Sequence, residues 1–263
     1  MNKEEFINAL KELDMDLNDK ILNDLEIYYE MLVDYNKYTN LTRITEKNDV
    51  YLKHFYDSLT IIKAVKLNNE SLLDVGTGAG FPGLVLKIVF PKLKVTLVDS
   101  LNKRIVFLNN VIKKLNLKDV VAIHERAEDF AKCNRESFDI VTSRAVANLS
   151  VLSELCIPLV KVGGYFIPMK ADAKDEIKLA SKAIKTLGGV IRKTIEFKLY
   201  NNECERTLIL IEKLSCTNVK YPRKYSEIKK AQIDWSLANK AELAIYCLHF
   251  IFVCLYRNNN CII

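Results

Sequence analysis

An α/β fold is what this sequence predicts: a mostly parallel seven-stranded sheet with helices on both faces, preceded by a small helical segment. Three observations predict it. Short β-rich runs alternate with helical patterns from Ser71 to about Lys213, a glycine-rich turn stands where the first of those strands gives way to a helix, and an acid, Asp99, closes the next strand. Parallel strands need long crossover connections, usually helices, so alternation with strands apolar on both faces specifies a sheet covered on each side.

Taken in order, apolar residues recur at helical spacing from Phe6 to Tyr35: Phe6, Leu10 and Leu13, then Leu17, Ile21, Leu25, Tyr28, Leu32 and Tyr35. Two amphipathic helices are predicted, broken near Asp14-Met15-Asp16, with Asn18 or Asp19 available to cap the second. Between Tyr38 and Leu67 the pattern is mixed. Strands are then predicted at 72–75, 94–98, 120–124, 138–142, 165–168, 192–197 and 207–211, and helices at 83–90, 103–115, 149–160 and 173–187. The last two strands follow one another without a helix between them, and a hairpin there makes the final strand antiparallel. The chain thus divides into a helical segment packed on the core, 1–66, the α/β domain, 67–230, and an atypical apolar tail, 231–263. Within that tail 244–256 is nearly all apolar but interrupted by His249. It falls short of the roughly 18 residues of a membrane span, so a packing or partner-contacting helix is the default reading. The predicted sheet is complete before the tail, which therefore need not contribute to a pocket.

With 263 residues, 49% of them hydrophobic, the chain buries a full core, which excludes general disorder. Neither a secretory signal nor a membrane span is visible, which places the protein in the cytoplasm with no membrane partner. Seven cysteines, at 133, 156, 204, 216, 247, 254 and 261, form no C-x-x-C pair and have no histidine at zinc-ligand spacing, so they read as reduced thiols and no metal is expected. Charge is regional. Residues 1–36 hold ten acids and three lysines, a net of −7, so the remainder must carry +13 to reach the total of +6. Within 213–230 six bases, including Arg223 and Lys224, face one acid, Glu227. That segment is a polyanion-binding edge or an ordinary solvated surface.

The strongest local signal is Leu72-Leu73-Asp74-Val75-Gly76-Thr77-Gly78-Ala79-Gly80-Phe81-Pro82-Gly83. Glycines at 76, 78 and 80 permit backbone angles and close approach that a Cβ would block, so a cofactor can lie against the loop, and Asp99 stands where a carboxylate accepts from ribose hydroxyls. The spacing is G-x-G-x-G, not the G-x-G-x-x-G that cradles a pyrophosphate. S-adenosylmethionine has no phosphates. It needs an acid near its amino group, which Asp74 supplies directly or through water, and a second acid on the ribose.

Together with Val98-Asp99-Ser100-Leu101-Asn102-Lys103-Arg104, Arg126-Ala127-Glu128 and Thr142-Ser143-Arg144-Ala145-Val146-Ala147, the loop resembles the RsmG family, also called glucose-inhibited division protein B. The likeness takes in Asn36-Lys37-Tyr38-Thr39-Asn40-Leu41-Thr42, His54-Phe55-Tyr56-Asp57-Ser58-Leu59, Ala183-Ile184-Lys185-Thr186-Leu187-Gly188-Gly189 and Tyr221-Pro222-Arg223-Lys224, covers roughly 1–230, and stops near Ala231. It implies a Rossmann-like class I methyltransferase that uses S-adenosylmethionine to methylate N7 of a guanine in small-subunit (16S) ribosomal RNA, acting on the RNA or on the 30S particle. It further implies that Gly76, Phe81, Ala127, Glu128 and Arg144 contact the cofactor, alongside Asp74, Gly78, Gly80 and Asp99 from the loop argument.

Guanine N7 carries a lone pair and no proton, so its alkylation needs position and alignment and no general base. After the fourth strand stands Thr142-Ser143-Arg144, where exocyclic-amine methyltransferases carry a [DNS]-P-P-[YF] box. Arg144, at the carboxyl edge where ligands of such sheets bind, and Asn40 are the candidate catalytic residues in positioning roles. An arginine bonding both O6 and N7 would block the attacking lone pair, so Arg144 should hold O6, a phosphate or the cofactor; its alternative is a surface salt bridge. Arg126, Lys170, Arg206, Arg223 and Lys224 are candidate RNA contacts. Asn36 and Asn40 face the pocket together or serve as caps and turns, His54 is a core or RNA-positioning residue in preference to a metal ligand, and Glu128 reaches the adenine amino group or stabilises its loop. Two other functions fit the same motifs: a methyltransferase for a small molecule or protein, and a non-catalytic RNA-binding assembly factor.

Overall fold

In the computed structural model, residues 1–200 and 204–233 are described. Helix α1 (Lys3–Lys11) opens on Asn2, whose side chain accepts from the Glu5 N–H while Glu5 accepts from the Asn2 N–H. This reciprocal cap satisfies two orphan donors. Helix α2 (Asp19–Thr39) is capped by Asn18, which accepts from the Ile21 N–H at 2.9 Å, and it buries Leu22, Leu25, Tyr28 and Leu32 on one stripe.

The mixed stretch that follows is one helical run that changes pitch: α3 (Lys47–Val50), a π-helical stretch (Tyr51–Tyr56), α4 (Asp57–Leu59) and a 3₁₀ turn (Thr60–Lys63). Five of the six π-helical residues are buried. A wider pitch turns near-consecutive side chains inward, which erases the 3.6-residue period that a sequence pattern relies on.

The sheet contains β1 (Ser71–Val75), β2 (Lys94–Asp99), β3 (Val120–His124), β4 (Phe138–Arg144), β5 (Val160–Lys170), β6 (Gly189–Lys198) and β7 (Glu205–Lys213). Their order is β3-β2-β1-β4-β5-β7-β6. The first five are parallel, and β7 runs antiparallel between β5 and β6. This is the Rossmann-like arrangement expected, with the final hairpin reversing the last strand. Helices α5 (Gly83–Val89), α6 (Asn102–Lys114), α8 (Leu149–Cys156) and α9 (Lys174–Thr186) match the predicted ones. Two differences stand out. The helix predicted to 160 ends at Cys156 in a 3₁₀ turn containing Pro158, and Val160 already starts β5. Two short helices, α7 (Ala127–Cys133) and α10 (Tyr225–Lys230), have too few turns to show periodicity and are absent from the sequence pattern.

Alternate strand residues feed opposite faces. Leu72, Leu97 and Ile140 pack with α1, α2, α5 and α6, whereas Leu73, Val75 and Val141 pack with α8 and α9. The helical segment 1–63 therefore closes over the α5/α6 side. Its anchor is Tyr28, whose ring lies 5.6 Å from Phe55, 5.5 Å from Phe81 and 6.2 Å from Phe107. Each such aromatic pair contributes about 0.5–1.5 kcal/mol beyond area burial. Of the tail read from 231 onward, residues 231–233 are among the described residues, and the helix expected at 244–256 lies outside them.

Candidate active site

The turn after β1 is organised by Asp74 from below. This fully buried carboxylate accepts through Oδ2 from the Thr77 hydroxyl at 2.7 Å and the Gly83 N–H at 2.8 Å, tying both ends of the loop to the strand. Burial pushes its carboxyl up to about 6, against the pull of the Thr77 and Gly83 bonds and the Arg144 charge. Its other oxygen, Oδ1, is buried with no partner among the described residues. An unmet buried carboxylate oxygen is costly, and Asp74, expected beside the cofactor amino group, lines neither of the two pockets at this edge but holds the loop from beneath.

The three glycines divide by role. Gly76 (φ +69°) and Gly78 (φ +62°) both line an open pocket. A Cβ on Gly78 would meet nothing within 4 Å, and one on Gly76 would lie 2.4 Å from Val146 Cγ2. Gly80 (φ +104°), expected to lie with them against a cofactor, faces the protein instead: a Cβ there would come within 2.5 Å of Tyr28 Oη and 2.9 Å of Leu84 and Leu108. Tyr28 donates its hydroxyl to the Ala79 carbonyl, so the loop is propped from behind by α2.

Asp99 ends β2, almost fully buried, with both oxygens occupied. Oδ2 accepts from the Gly78 N–H and from Arg104 Nη1, each at 2.9 Å, and Oδ1 accepts from the Leu101 N–H at 2.9 Å. Asp99, Ser100, Gly76 and Val146 are shared by two adjoining pockets along the carboxyl edge of the sheet. The first runs beneath Arg126, Ala127 and Glu128 at the start of α7, with Tyr225 of α10 on its wall. The second is bounded by Thr42, His54, Phe81, Arg104 and Arg144. Val146 stands between them, carried by Ala145 in the left-handed region at φ +57°.

A third pocket adjoins the second through His54, Arg144 and Ala145, and adds Asp57, Lys170 and Arg206. One of its lining residues is Asp57, which lies in the stretch 54–59 that carries the family likeness but to which the sequence assigns no role. Its Oδ2 accepts from Arg144 Nη1 at 2.9 Å and its Oδ1 from Arg206 Nε at 2.9 Å. Arg144 also donates to the Lys53 carbonyl at 3.0 Å, lies 3.2 Å from His54 Nδ1, and sits 5.3 Å from the Phe81 ring centre. His54 stacks on that ring at 4.3 Å and contacts the Thr42 hydroxyl through Nε2 at 3.0 Å. Nδ1 lies between Arg144, which can only donate to it, and the Lys53 carbonyl at 3.1 Å, which can only accept from it, while the Thr42 hydroxyl at Nε2 can serve either tautomer. Burial first, and the Arg144 charge second, push His54 down to about 3, so the ring is neutral at pH 7.

This has a measurable consequence. Between pH 6.5 and about 3 the unfolded chain binds a proton at His54 that the folded chain refuses, so stability is lost as pH falls through that window, by up to about 1.4 kcal/mol per pH unit. Asp74, raised to about 6, acts in the opposite sense between 3.8 and 6, because the folded state keeps its proton longer. Thermal unfolding of the parent and His54→Gln at pH 7.5 and 5 separates the two effects, since Asp74 is present in both. The parent is expected to lose more stability on acidification than the variant; parallel losses would contradict the neutral, buried ring.

Other sequence candidates fall where they serve the fold. Asn40 is the exposed left-handed C-cap of α2, and the second pocket's lining starts at Leu41; Asn36 accepts from the Thr42 N–H at 2.9 Å, the turn-forming alternative. Lys170 donates to the Ala147 carbonyl at 2.9 Å and pairs with Glu176 at 2.8 Å, on the rim of the third pocket. Arg126 is largely exposed and borders the first pocket. Arg223 is committed to Glu154, a fully buried carboxylate that it grips through Nε at 2.8 Å and Nη2 at 2.6 Å. Lys224 remains exposed, beside Arg126, Tyr225 and Lys229. Among the described residues no group of three His, Cys, Asp or Glu side chains could hold a metal, and no helix is long and apolar enough to cross a membrane.

The topology and this edge, with its glycine backbone facing open space and its strand-end acid at the junction of two pockets, fit S-adenosylmethionine and define a class I methyltransferase that uses it. In fold the chain is similar to M. jannaschii TYW2 in complex with AdoMet, with a TM-score of 0.50 and 16% identity over 60% of this chain and 77% of that one. A family model described as "GidB: rRNA small subunit methyltransferase G" matches residues 21–208. Proteins named ribosomal RNA small subunit methyltransferase G are similar along nearly their whole length. That of Staphylococcus carnosus is 51% identical over 238 residues, 89% of this chain and 99% of that protein, and that of Bacillus subtilis is 50% identical over 238 residues, 89% of this chain and 100% of that protein. The chain belongs to the GidB family of small-subunit ribosomal RNA methyltransferases.

Proposed function

We propose that this chain methylates N7 of a guanine in small-subunit ribosomal RNA, in the cytoplasm, on the RNA or on the 30S particle. The observation that carries the reading is the third pocket, which opens off the glycine-loop pocket and sets Arg144, Arg206 and Lys170 beside apolar side chains such as Ile44 and Met169, with no group among the described residues placed to take a proton. Its histidine is held neutral by burial, and its acid, Asp57, has both oxygens bonded to arginines. A nucleophile that must lose a proton would need a base there; guanine N7 does not. Bound S-adenosylmethionine supplies an electrophilic methyl group on a positively charged sulfur. The chain's own part is to hold that cofactor between the glycine loop, Asp99 and the Ala127–Glu128 turn, to keep water from it with Phe81 and Val146, and to orient the acceptor with Arg144.

Mapping N7-methylguanine in small-subunit RNA from cells with and without the gene tests this. One position is expected to lose its modification. No lost position, with methyl label entering a protein or metabolite, would favour the small-molecule or protein alternative; no lost position and no label transfer would favour a non-catalytic assembly factor.

The RNA-facing edge makes a separate prediction. Because Arg223 is spent on Glu154, Arg223→Ala is expected to destabilise the fold by about 3 kcal/mol by stranding a buried carboxylate. Lys224→Ala with Lys229→Ala should leave the melting temperature unchanged and flatten the dependence of RNA affinity on salt, by about one unit of log–log slope for every phosphate no longer neutralised. Unchanged slopes would make this segment a solvated surface.

A further inference from the structure

We infer that Asp57 is a positioning residue for the methyl acceptor: it sets the Arg144 and Arg206 guanidinium groups side by side as one receptor for a guanine nucleotide. The inference rests on the acceptor pocket proposed above. Arg144 ends β4 and Arg206 lies near the start of β7, with β5 between them in the sheet. Because β7 is antiparallel, its first residues reach the same edge at which β4 and β5 end. Asp57 comes from the helical segment over that edge and is almost fully buried, with one oxygen on each arginine at 2.9 Å.

This cluster has more cation than its internal pairing requires. One carboxylate lies between two guanidinium groups, so the trio keeps a net positive charge; Lys170 on the same wall is already paired with Glu176 and adds none. Each arginine spends only some of its five donors: Arg206 on Asp57 and the Glu205 carbonyl, Arg144 on Asp57, the Lys53 carbonyl and His54. The donors left over belong to two planar forks whose orientation Asp57 determines, and such forks match phosphate and carbonyl oxygens. A structural tie alone would need one arginine. Two guanidinium groups drawn together around one carboxylate at a pocket mouth repel each other and gain their use when an anionic or carbonyl acceptor joins them.

The test uses the full chain carrying Asp57→Asn, which keeps the side-chain volume but replaces one accepting oxygen with a donor facing an arginine. Three quantities are measured: S-adenosylmethionine affinity by calorimetry, guanosine 5′-monophosphate affinity by chemical-shift titration, and single-turnover methyl transfer to small subunits lacking the modification. Expected are cofactor affinity within about threefold of the parent, guanosine monophosphate affinity lowered about tenfold or more, and slower transfer even at saturating subunits, since charged hydrogen bonds of this kind are worth that much. Arg206→Ala added to Asp57→Asn should then cost less than it does alone, because both act on one receptor. Asp57→Glu is expected to restore part of the nucleotide affinity.

The inference is overturned if nucleotide affinity and transfer are unchanged in Asp57→Asn, if the parent binds no guanosine monophosphate, or if cofactor and nucleotide affinity fall together in proportion to a loss of folded protein. A parent that modifies no small-subunit RNA would defeat the substrate reading alone, while the guanosine monophosphate arm would still decide the role of Asp57.

Discussion

Gly80→Ala lowers the melting temperature by about 10 °C, whereas Gly78→Ala, two residues away in the same loop, leaves it within a few degrees and abolishes tight cofactor binding: this is the expected result of comparing two glycines that look alike in sequence. Both have positive φ, which costs an alanine about 1–2 kcal/mol. Only Gly80 adds a collision, with Tyr28 Oη at 2.5 Å and Leu84 and Leu108 at 2.9 Å, in a core where overpacking costs about 1–3 kcal/mol more. The sum, about 2–5 kcal/mol, corresponds to that loss in a domain of this size. At Gly78 the new methyl enters open space in the pocket, so the fold bears only the backbone strain and the ligand bears the rest. Differential scanning calorimetry and cofactor titration of both variants provide the comparison. Tyr28→Phe should recover part of the Gly80→Ala loss by removing the nearest clashing atom. Equal melting temperatures for the two alanine variants would show that the loop is not propped from behind.

The second large effect is expected at Asp99. Asp99→Ala strips a partner from the Gly78 and Leu101 N–H groups and from Arg104, whose Nε is already buried without an acceptor. Each missing charged hydrogen bond is worth about 1.5–3 kcal/mol, so the Gly78 peptide loses its orientation and S-adenosylmethionine affinity is expected to fall about 100-fold. Asp99→Asn keeps one accepting oxygen and should fall between the alanine variant and the parent. Calorimetry reads both; an alanine variant that binds the cofactor as the parent does would mean that Asp99 serves Arg104 and not the pocket.

The architecture was legible because it is written in local patterns. Apolar runs such as residues 120–123, a turn rich in glycine and an acid at a strand end all report on their immediate neighbours, and the absence of a helix between the last two strands foretold the reversed β7. What could not be read depends on partners far along the chain. Asp57 falls in a stretch that carries the family likeness, yet it has no legible role until the fold brings it to arginines 87 and 149 residues away. Arg223 counted as a polyanion contact because a charge tally does not see Glu154, 69 residues upstream. Gly80 shared the reading of Gly76 and Gly78 because a missing Cβ says nothing about which side of the backbone is crowded. The π-helical stretch was silent for a different reason: its pitch does not match the period being sought.

The hydroxyl that Tyr28 lends to Ala79 makes α2 a party to whatever the loop binds. Binding that favours the propped loop also favours the docked helix, by RT ln(1 + [L]/Kd), about 2.7 kcal/mol at a hundredfold excess over Kd. Protease resistance of the amino-terminal helices should therefore rise when S-adenosylmethionine is added to the purified protein, although none of their own residues need touch it.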